Sequence, residues 1–330
     1  MNQKHDQMYN LSLILKKSYL SVMHCLKNCP ICNSNSISSF IQTKAQMHSD
    51  NELFNFDQCS ECQLVFLNPR VSADELKKYY TSHYLPYRGS KAWGKFEKLV
   101  ENSQKKLDLK RVKRTKATHN ISSDSLILDI GCGKPSFLKA CQQEFSCHTL
   151  GIDFSDEGWK DDCEQFDGID LRVAEIKDLA GLQPDVITMW HYLEHDYFPF
   201  ENLSYLKSIA QQSTKLIIEI PNFDSSTRRK FGENWAGWHT PRHISLFSPE
   251  NITLLLKKSG WKVLELNTYG TMDPYLLYWM SRMEKKGIKW DKNMENEFWK
   301  FVFGMILFVP KKWMQKRSSL GIMTVIATPQ

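Results

Sequence analysis

Three groups of residues have types and spacings that can do chemistry. Cys29-Pro-Ile-Cys32 and Cys59-Ser-Glu-Cys62 are two C-x-x-C knuckles with 26 residues between them. Each can turn two thiolates towards one ion, and four thiolates close a tetrahedral zinc site with no position left for water or substrate. The expected role is structural. The second group is Leu-Ile-Leu-Asp129-Ile-Gly131-Cys132-Gly133, an apolar run that ends in a glycine turn. Glycine lets backbone approach a ligand without a Cβ clash, and a helix start beyond it offers N–H groups to a carboxylate or phosphate. Asp153 lies twenty residues past Gly133, where a carboxylate at a strand end can accept from both hydroxyls of a ribose. The third group is Glu194-His195. Histidine titrates near neutrality and is the usual general base. A further candidate region, 223–247, carries Arg228, Arg229, Lys230, Trp235, Trp238, His239, Arg242 and His243. Cations interleaved with tryptophan suit a phosphorylated or sugar-bearing molecule, through bidentate charge pairing and ring stacking.

These groups need elements to position them. Short apolar runs at 125–130, 149–153, 170–174, 185–190, 215–220, 261–266 and 321–327 read as strands, and amphipathic helical segments separate most of them. That alternation predicts an α/β, doubly wound, mostly parallel Rossmann-like sheet, with ligands at the carboxyl edge. Ser248, Pro249 and Gly260 punctuate one helix as N-cap, first turn and stop. The expected organisation is a leader over 1–25, a zinc ribbon over 26–75 and a helical connection over 76–120. The main domain follows over 121–330, with an insertion at about 271–319.

The runs LDIGCG, GIDFS, DVITMWHYLEH and IIEIPN occur in that order and resemble the class I S-adenosylmethionine-dependent methyltransferases, over 121–270 and the final strand. The resemblance implies seven strands, the last antiparallel between the fifth and sixth. It also implies S-adenosylmethionine as cofactor, with Gly131, Cys132 and Gly133 against its methionine portion and Asp129 supporting the turn. Asp153 would hold the ribose, Phe154 and Glu175 would border the adenine, and Trp190 and His191 would line the pocket. Pro135 stands where the family usually has a third small residue. The stretch LVFLNPRVSADELKKYYTSHY is similar to the leader of zinc-ribbon methyltransferases from sugar and surface-polysaccharide pathways. By that resemblance Tyr192, Glu194 and His195 would supply the base, and PRHISLFSP would contribute Arg242 and His243. Trp238 and Tyr87 complete the expected substrate contacts, while Tyr80 and Tyr84 lie close enough in sequence to reach the same mouth.

The expected activity is methyl transfer to a small molecule: a sugar, sugar nucleotide or glycan precursor. The sugar C-methyltransferases carry a further C-terminal domain, so O- or N-methylation is an equal expectation. The alternatives are a zinc-ribbon rRNA methyltransferase and a methyltransferase of quinone-type or other small metabolites. A nicotinamide dehydrogenase would need a third glycine, where Ser136 stands, and has no use for the LEH segment.

Composition bounds the rest. Of 330 residues, 42% are hydrophobic and 24% charged, which excludes a disordered or fibrous chain. Nine cysteines, in a chain too long for a disulfide miniprotein, point to a reduced cytoplasmic protein with a metal site. The first residues show no cleavage site, so no signal peptide is read. Eleven Lys/Arg face three acids between Arg88 and Lys116. That stretch reads as a solvated helix with Trp93, Phe96, Val100 and Leu107 inward, and nucleic acid is not an expected partner. Trp299 to Arg317 crowds apolar residues before a basic flank. It reads as an insertion packed on the sheet edge or in a dimer interface, its helix interrupted by Gly304 and Pro310; contact with the inner membrane face is the alternative.

Overall fold

The structure is a computed structural model that describes residues 25–81, 84–316 and 318–330. Most of the expected leader, and Arg317, lie outside the described residues.

The N-terminal part is an antiparallel sheet. It is built from β1 (Ile37–Lys44), β2 (Leu53–Cys59) and β3 (Val65–Leu67). The main sheet follows with β4 (Leu126–Ile130), β5 (His148–Asp153), β6 (Asp170–Val173), β7 (Val186–Trp190) and β8 (Lys215–Pro221). Next, β9 (Ser245–Leu246) returns to the N-terminal sheet, and β10 (Trp261–Asn267) and β11 (Ile322–Pro329) complete the main one. The seven strands lie in the order β10-β11-β8-β7-β4-β5-β6. All pairs are parallel except those of β11, which runs antiparallel between β8 and β10, the topology the resemblance implies.

The sequence accounts for these strands locally. Every residue of β7, and all but the first of β4 and β8, is buried, as continuous apolar runs demand when helices cover both faces. The flanking helices are α1 (Glu97–Thr118), α2 (Ser136–Phe145), α3 (Pro199–Ile209) and α4 (Pro249–Lys258). Ser248 caps α4 through a reciprocal pair of bonds with Asn251, and Pro249 opens it. Trp93 is buried ahead of α1, Phe96, Val100 and Leu107 are half-buried, and lysines 98, 105 and 106 face solvent.

Two helices fill the segment between the last strands, α5 (Pro274–Lys286) and α6 (Phe298–Trp313). The expected interruption of α6 is corrected: the helix runs unbroken through Gly304 and Pro310. Gly304 is needed for packing, because a Cβ there would lie 1.9 Å from the Tyr275 hydroxyl on α5.

The two sheets are joined by one strand. Val65 and Phe66 of β3 pair with Leu246 and Ser245 of β9, which comes from the long segment after β8. A continuous core follows, in which Cys29, Cys59 and Phe66 pack with Phe247 and the main-sheet residues Ile218 and Ile220.

Candidate active site

Strand order reverses at β4, whose neighbours are β7 and β5, so a crevice opens above the ends of these three strands. Asp129 and Ile130 end β4, Asp153 ends β5 and Trp190 ends β7.

The glycine turn at the end of β4 is held by two backbone bonds, as Gly131 and Cys132 N–H both donate to the Ile152 carbonyl. Gly131 and Gly133 have φ of 70° and 49°, conformations that a side chain strains. At Gly131 a Cβ would also meet the Tyr192 ring at 2.4 Å, whereas at Gly133 nothing lies within 4 Å. Tyr192 therefore packs on the turn, and the space over Gly133 is open. Gly133 N–H donates to Asp153 Oδ2 at 2.9 Å. Asp129 is buried beneath, accepting from the Thr188 hydroxyl at 2.6 Å, and burial pushes its carboxyl up to about 7.

The remaining cofactor candidates surround this turn. Phe154 is exposed at its rim, and Glu175 sits at the end of β6 as the N-cap of a short helical turn. Trp190 is buried against Phe137, with the Arg111 guanidinium 4.9 Å over its ring. Trp190 Nε1 and Arg111 Nε are buried donors without a protein partner. Arg111 was not singled out from sequence, where it is one cation of a basic helix. The open space over Gly133 and these two donors fit a ligand that carries a carboxylate.

His191 has φ of 58° and is wedged between two carboxylates, with Nδ1 3.5 Å from Glu194 Oε1 and Nε2 3.5 Å from Glu219 Oε1. Burial alone would lower its pKa, but the two carboxylates prevail and hold it at about 9. Glu219 is likewise opposed by burial, yet His191 brings it down to about 2. Its oxygens also accept from Thr271 and Met272 N–H. Sequence reading passed over Glu219; its signal is an acid inside the apolar run IIEIP.

Glu194, His195 and His243 come together, with ligand-capable atoms all within 4.8 Å of one another. His195 Nδ1 meets the Arg242 carbonyl at 2.9 Å and His243 Nδ1 meets the Gly237 carbonyl at 2.9 Å. A carbonyl only accepts, so each Nδ1 carries the proton and each Nε2 keeps its lone pair. Glu194 Oε1 is shared between His191 Nδ1 at 3.5 Å and His243 Nε2 at 3.9 Å, and Oε2 is buried without a hydrogen-bond partner. Burial lowers the pKa of both His195 and His243, which keeps them neutral. The arrangement sets buried acceptors facing one another, a cluster that gains by taking up a proton or a cation.

An aromatic wall links this cluster to the glycine turn. The His239 ring lies tilted 4.7 Å from His243 and edge-on 5.3 Å from Tyr84. Tyr84 lies 5.0 Å from Tyr87, and Tyr80 lies 6.0 Å from Phe154. Arg242 and Trp238 are not on offer to a substrate here. Arg242 is fully buried and donates to the Tyr79 and Gln46 carbonyls at 2.6 Å each, bracing the N-terminal segment. Trp238 is core, 4.9 Å from Phe56 and 5.9 Å from Trp235.

The four knuckle cysteines converge on one another. Cys29 Sγ lies 3.4 Å from Cys62 Sγ, and Cys32 Sγ lies 3.4 Å from Cys59 Sγ, with all four within 4.8 Å and no disulfide. The residues after Cys32 and Cys62, Asn33 and Gln63, both have φ near 60° and donate back to Cys29 and Cys59 carbonyls. Two like turns with four converging thiols suit a tetrahedral ion at Zn–S distances of about 2.3 Å.

No curated protein sequence matches the chain. Among solved structures it is similar to a SAM dependent methyltransferase from Archaeoglobus fulgidus, at 19% identity over 66% of this chain and 91% of that one, TM-score 0.42. It is also similar to magnesium protoporphyrin IX methyltransferase from Synechocystis PCC 6803 with bound SAH, at 13% identity over 77% and 98%, TM-score 0.48. A third is coclaurine N-methyltransferase bound to N-methylheliamine and SAH, at 13% over 67% and 70%, TM-score 0.46. A methyltransferase-domain family matches residues 101–266, which take in the glycine turn, Asp153, Glu194, His195 and His243. With half of its residues in that match, the chain belongs to the methyltransferase-domain family and is an S-adenosylmethionine-dependent methyltransferase.

Proposed function

We propose that the protein methylates a sugar, sugar nucleotide or related glycan precursor, and that the Glu194–His195–His243 cluster accepts the proton the acceptor releases. The observation that carries this reading is the buried set of facing acceptors at the carboxyl edge, walled by Tyr80, Tyr84, Tyr87 and His239. Aromatic faces with polar edges suit the alternating apolar and hydroxyl surfaces of a sugar ring.

In this reading the turn Gly131–Gly133 and Asp153 hold S-adenosylmethionine, with Phe154 and Glu175 beside its adenine. Arg111 and Trp190 offer their unpartnered donors to its carboxylate. When bound, S-adenosylmethionine supplies an electrophilic methyl carbon. The protein aligns the acceptor with that carbon and removes its proton. His195 Nε2 has the lone pair for this task, and the adjacent Glu194 carboxylate favours the imidazolium that results. His243 flanks the same carboxylate and shares the charge. Tyr192, against Gly131, positions the turn. The four cysteines hold one structural zinc ion, in a ribbon over 26–75 that a connection over 76–120 joins to the methyltransferase unit at 121–330.

In the basic stretch before β4, several lysines face solvent and other cations have partners within the chain. Arg114 and Lys116 pair with Glu265 and Glu144, and Arg111 covers Trp190.

The test uses tritiated methyl donor and a panel of nucleotide sugars. Label should enter the sugar moiety. His195→Ala should slow transfer by about 10²–10⁴-fold with cofactor affinity intact. Asp153→Ala should weaken cofactor binding roughly ten- to a hundredfold by calorimetry. Label that never enters a sugar overturns the acceptor class. Normal turnover by His195→Ala and His243→Ala alike overturns the base.

A further inference from the structure

One face of α6 is packed and the other is bare. Phe298 and Phe308 are buried and Phe301 and Val302 half-buried against α5, with Phe308 5.4 Å from Tyr275 and Phe301 5.2 Å from Trp279. On the opposite side Trp299, Phe303, Ile306, Leu307, Trp313 and Met314 are each 59–81% exposed. Residues 299, 303, 306 and 313 follow helical spacing, so they form one stripe along the helix. Isolated exposed apolar residues need no explanation, but a contiguous stripe of six large ones marks a contact surface.

Charge selects the occupant. The sequence from Phe298 to Gln330 contains no Asp or Glu, while Lys300, Lys311, Lys312 and Lys316 lie on or just after α6. Lys311 and Lys316 are exposed and Lys312 pairs with Asp273. A twofold contact between copies is self-complementary, so this face would set Lys311 and Lys316 against their own copies, while the nearby carboxylates of Asp273 and Glu297 are already paired with Lys312 and Lys300. An anionic bilayer complements both features. Tryptophan at each end of the stripe suits the headgroup region, the aliphatic and phenyl groups between suit the acyl boundary, and lysine suits anionic phosphate. At about 1.5 Å per residue the sixteen-residue helix is roughly 24 Å long and lies along the surface. No described helix is long and apolar enough to cross a membrane.

We propose that the outer face of α6 docks the protein on an anionic lipid surface, with the stripe inserted at the headgroup boundary and Lys311 and Lys316 on the phosphates. The proposal does not depend on which acceptor the active site methylates.

Flotation of the full-length protein with phosphatidylcholine vesicles, with and without phosphatidylglycerol, tests it. The protein should float with the anionic vesicles at low salt and much less at high salt or with phosphatidylcholine alone. Phe303→Ser/Ile306→Ser/Leu307→Ser should reduce partitioning at least about tenfold, since binding scales with buried apolar area. Lys311→Glu/Lys316→Glu should reduce it by about fivefold or more for each lysine. Circular dichroism and S-adenosylmethionine affinity establish that both variants are folded, and the lysine variant stands alone if the apolar one is not. No flotation of the wild type at low salt overturns the proposal, including the case in which sedimentation shows the face pairing two copies. Undiminished flotation of a folded variant overturns it as well.

Discussion

His191 shows how a single side chain carries a pH dependence. Held at about 9 between Glu194 and Glu219, it keeps its proton in the folded chain where an unfolded histidine, near 6.5, has lost it. The native state thus binds more protons above pH ~6.5, and stability falls as pH rises towards 9. Asp129 and Glu284, both pushed to about 7 by burial, also favour the protonated native state, but their slope is largely complete by pH ~7. Between pH ~7 and ~8.5 the His191 contribution to this decline should be about 1–2 kcal/mol. Thermal melts across that window should show a shallower decline in His191→Gln than in wild type. Equal slopes would remove the ion pair from the account. On Glu219 the sign is reversed: held at about 2, it stabilises above its unfolded value, and that contribution is lost on acidification.

At the scale of the element, the β4–α2 turn has two glycines with different duties. Gly131→Ala brings both a strained φ of 70° and a 2.4 Å contact with Tyr192, so it should lower the melting temperature and weaken S-adenosylmethionine binding together. Gly133→Ala meets no atom within 4 Å and bears only the backbone strain, about 1–2 kcal/mol. Its Cβ would stand in the space assigned to the cofactor, so its main effect should be on affinity. Calorimetry beside thermal melts separates the two. If Gly133→Ala binds the cofactor as wild type does, that space is not the cofactor's.

Across the whole molecule, the four-cysteine cluster and the candidate active site are connected through paired strands. The cysteine cluster lies at the start of β1 and the end of β2, β3 pairs with β9, and His243 stands two residues before β9. Arg242 ties its own loop to Gln46 and Tyr79 across the same boundary. Loss of an ion held by these cysteines should therefore reach the Glu194–His195–His243 cluster. We expect one zinc per chain by metal analysis. Cys59→Ser or chelation should remove hydrogen-exchange protection at Leu67 and at Ile244, and should depress methyl transfer with it. A metal-free protein with both intact would show that the cysteines serve another purpose.

Much of this molecule was legible in its sequence. The seven main-sheet strands, the capped α4, the glycine turn with Asp153 and the two cysteine knuckles rest on patterns spanning a few residues: burial period, turn conformation and ligand spacing. Such patterns act through local backbone geometry, which a linear reading can follow. Tertiary structure decided which distant groups meet. Val65 pairs with Leu246 across some 180 residues, a contact with no local signature. Arg242, expected at the substrate from the PRHISLFSP resemblance, instead braces two carbonyls, because folding closed the N-terminal segment over it. Gly304, expected to interrupt α6, is instead the gap that admits the Tyr275 hydroxyl. The residue types in α6 were plain from the start, but its bare outer face was not. Burial is set by what packs against an element, and that depends on the whole chain.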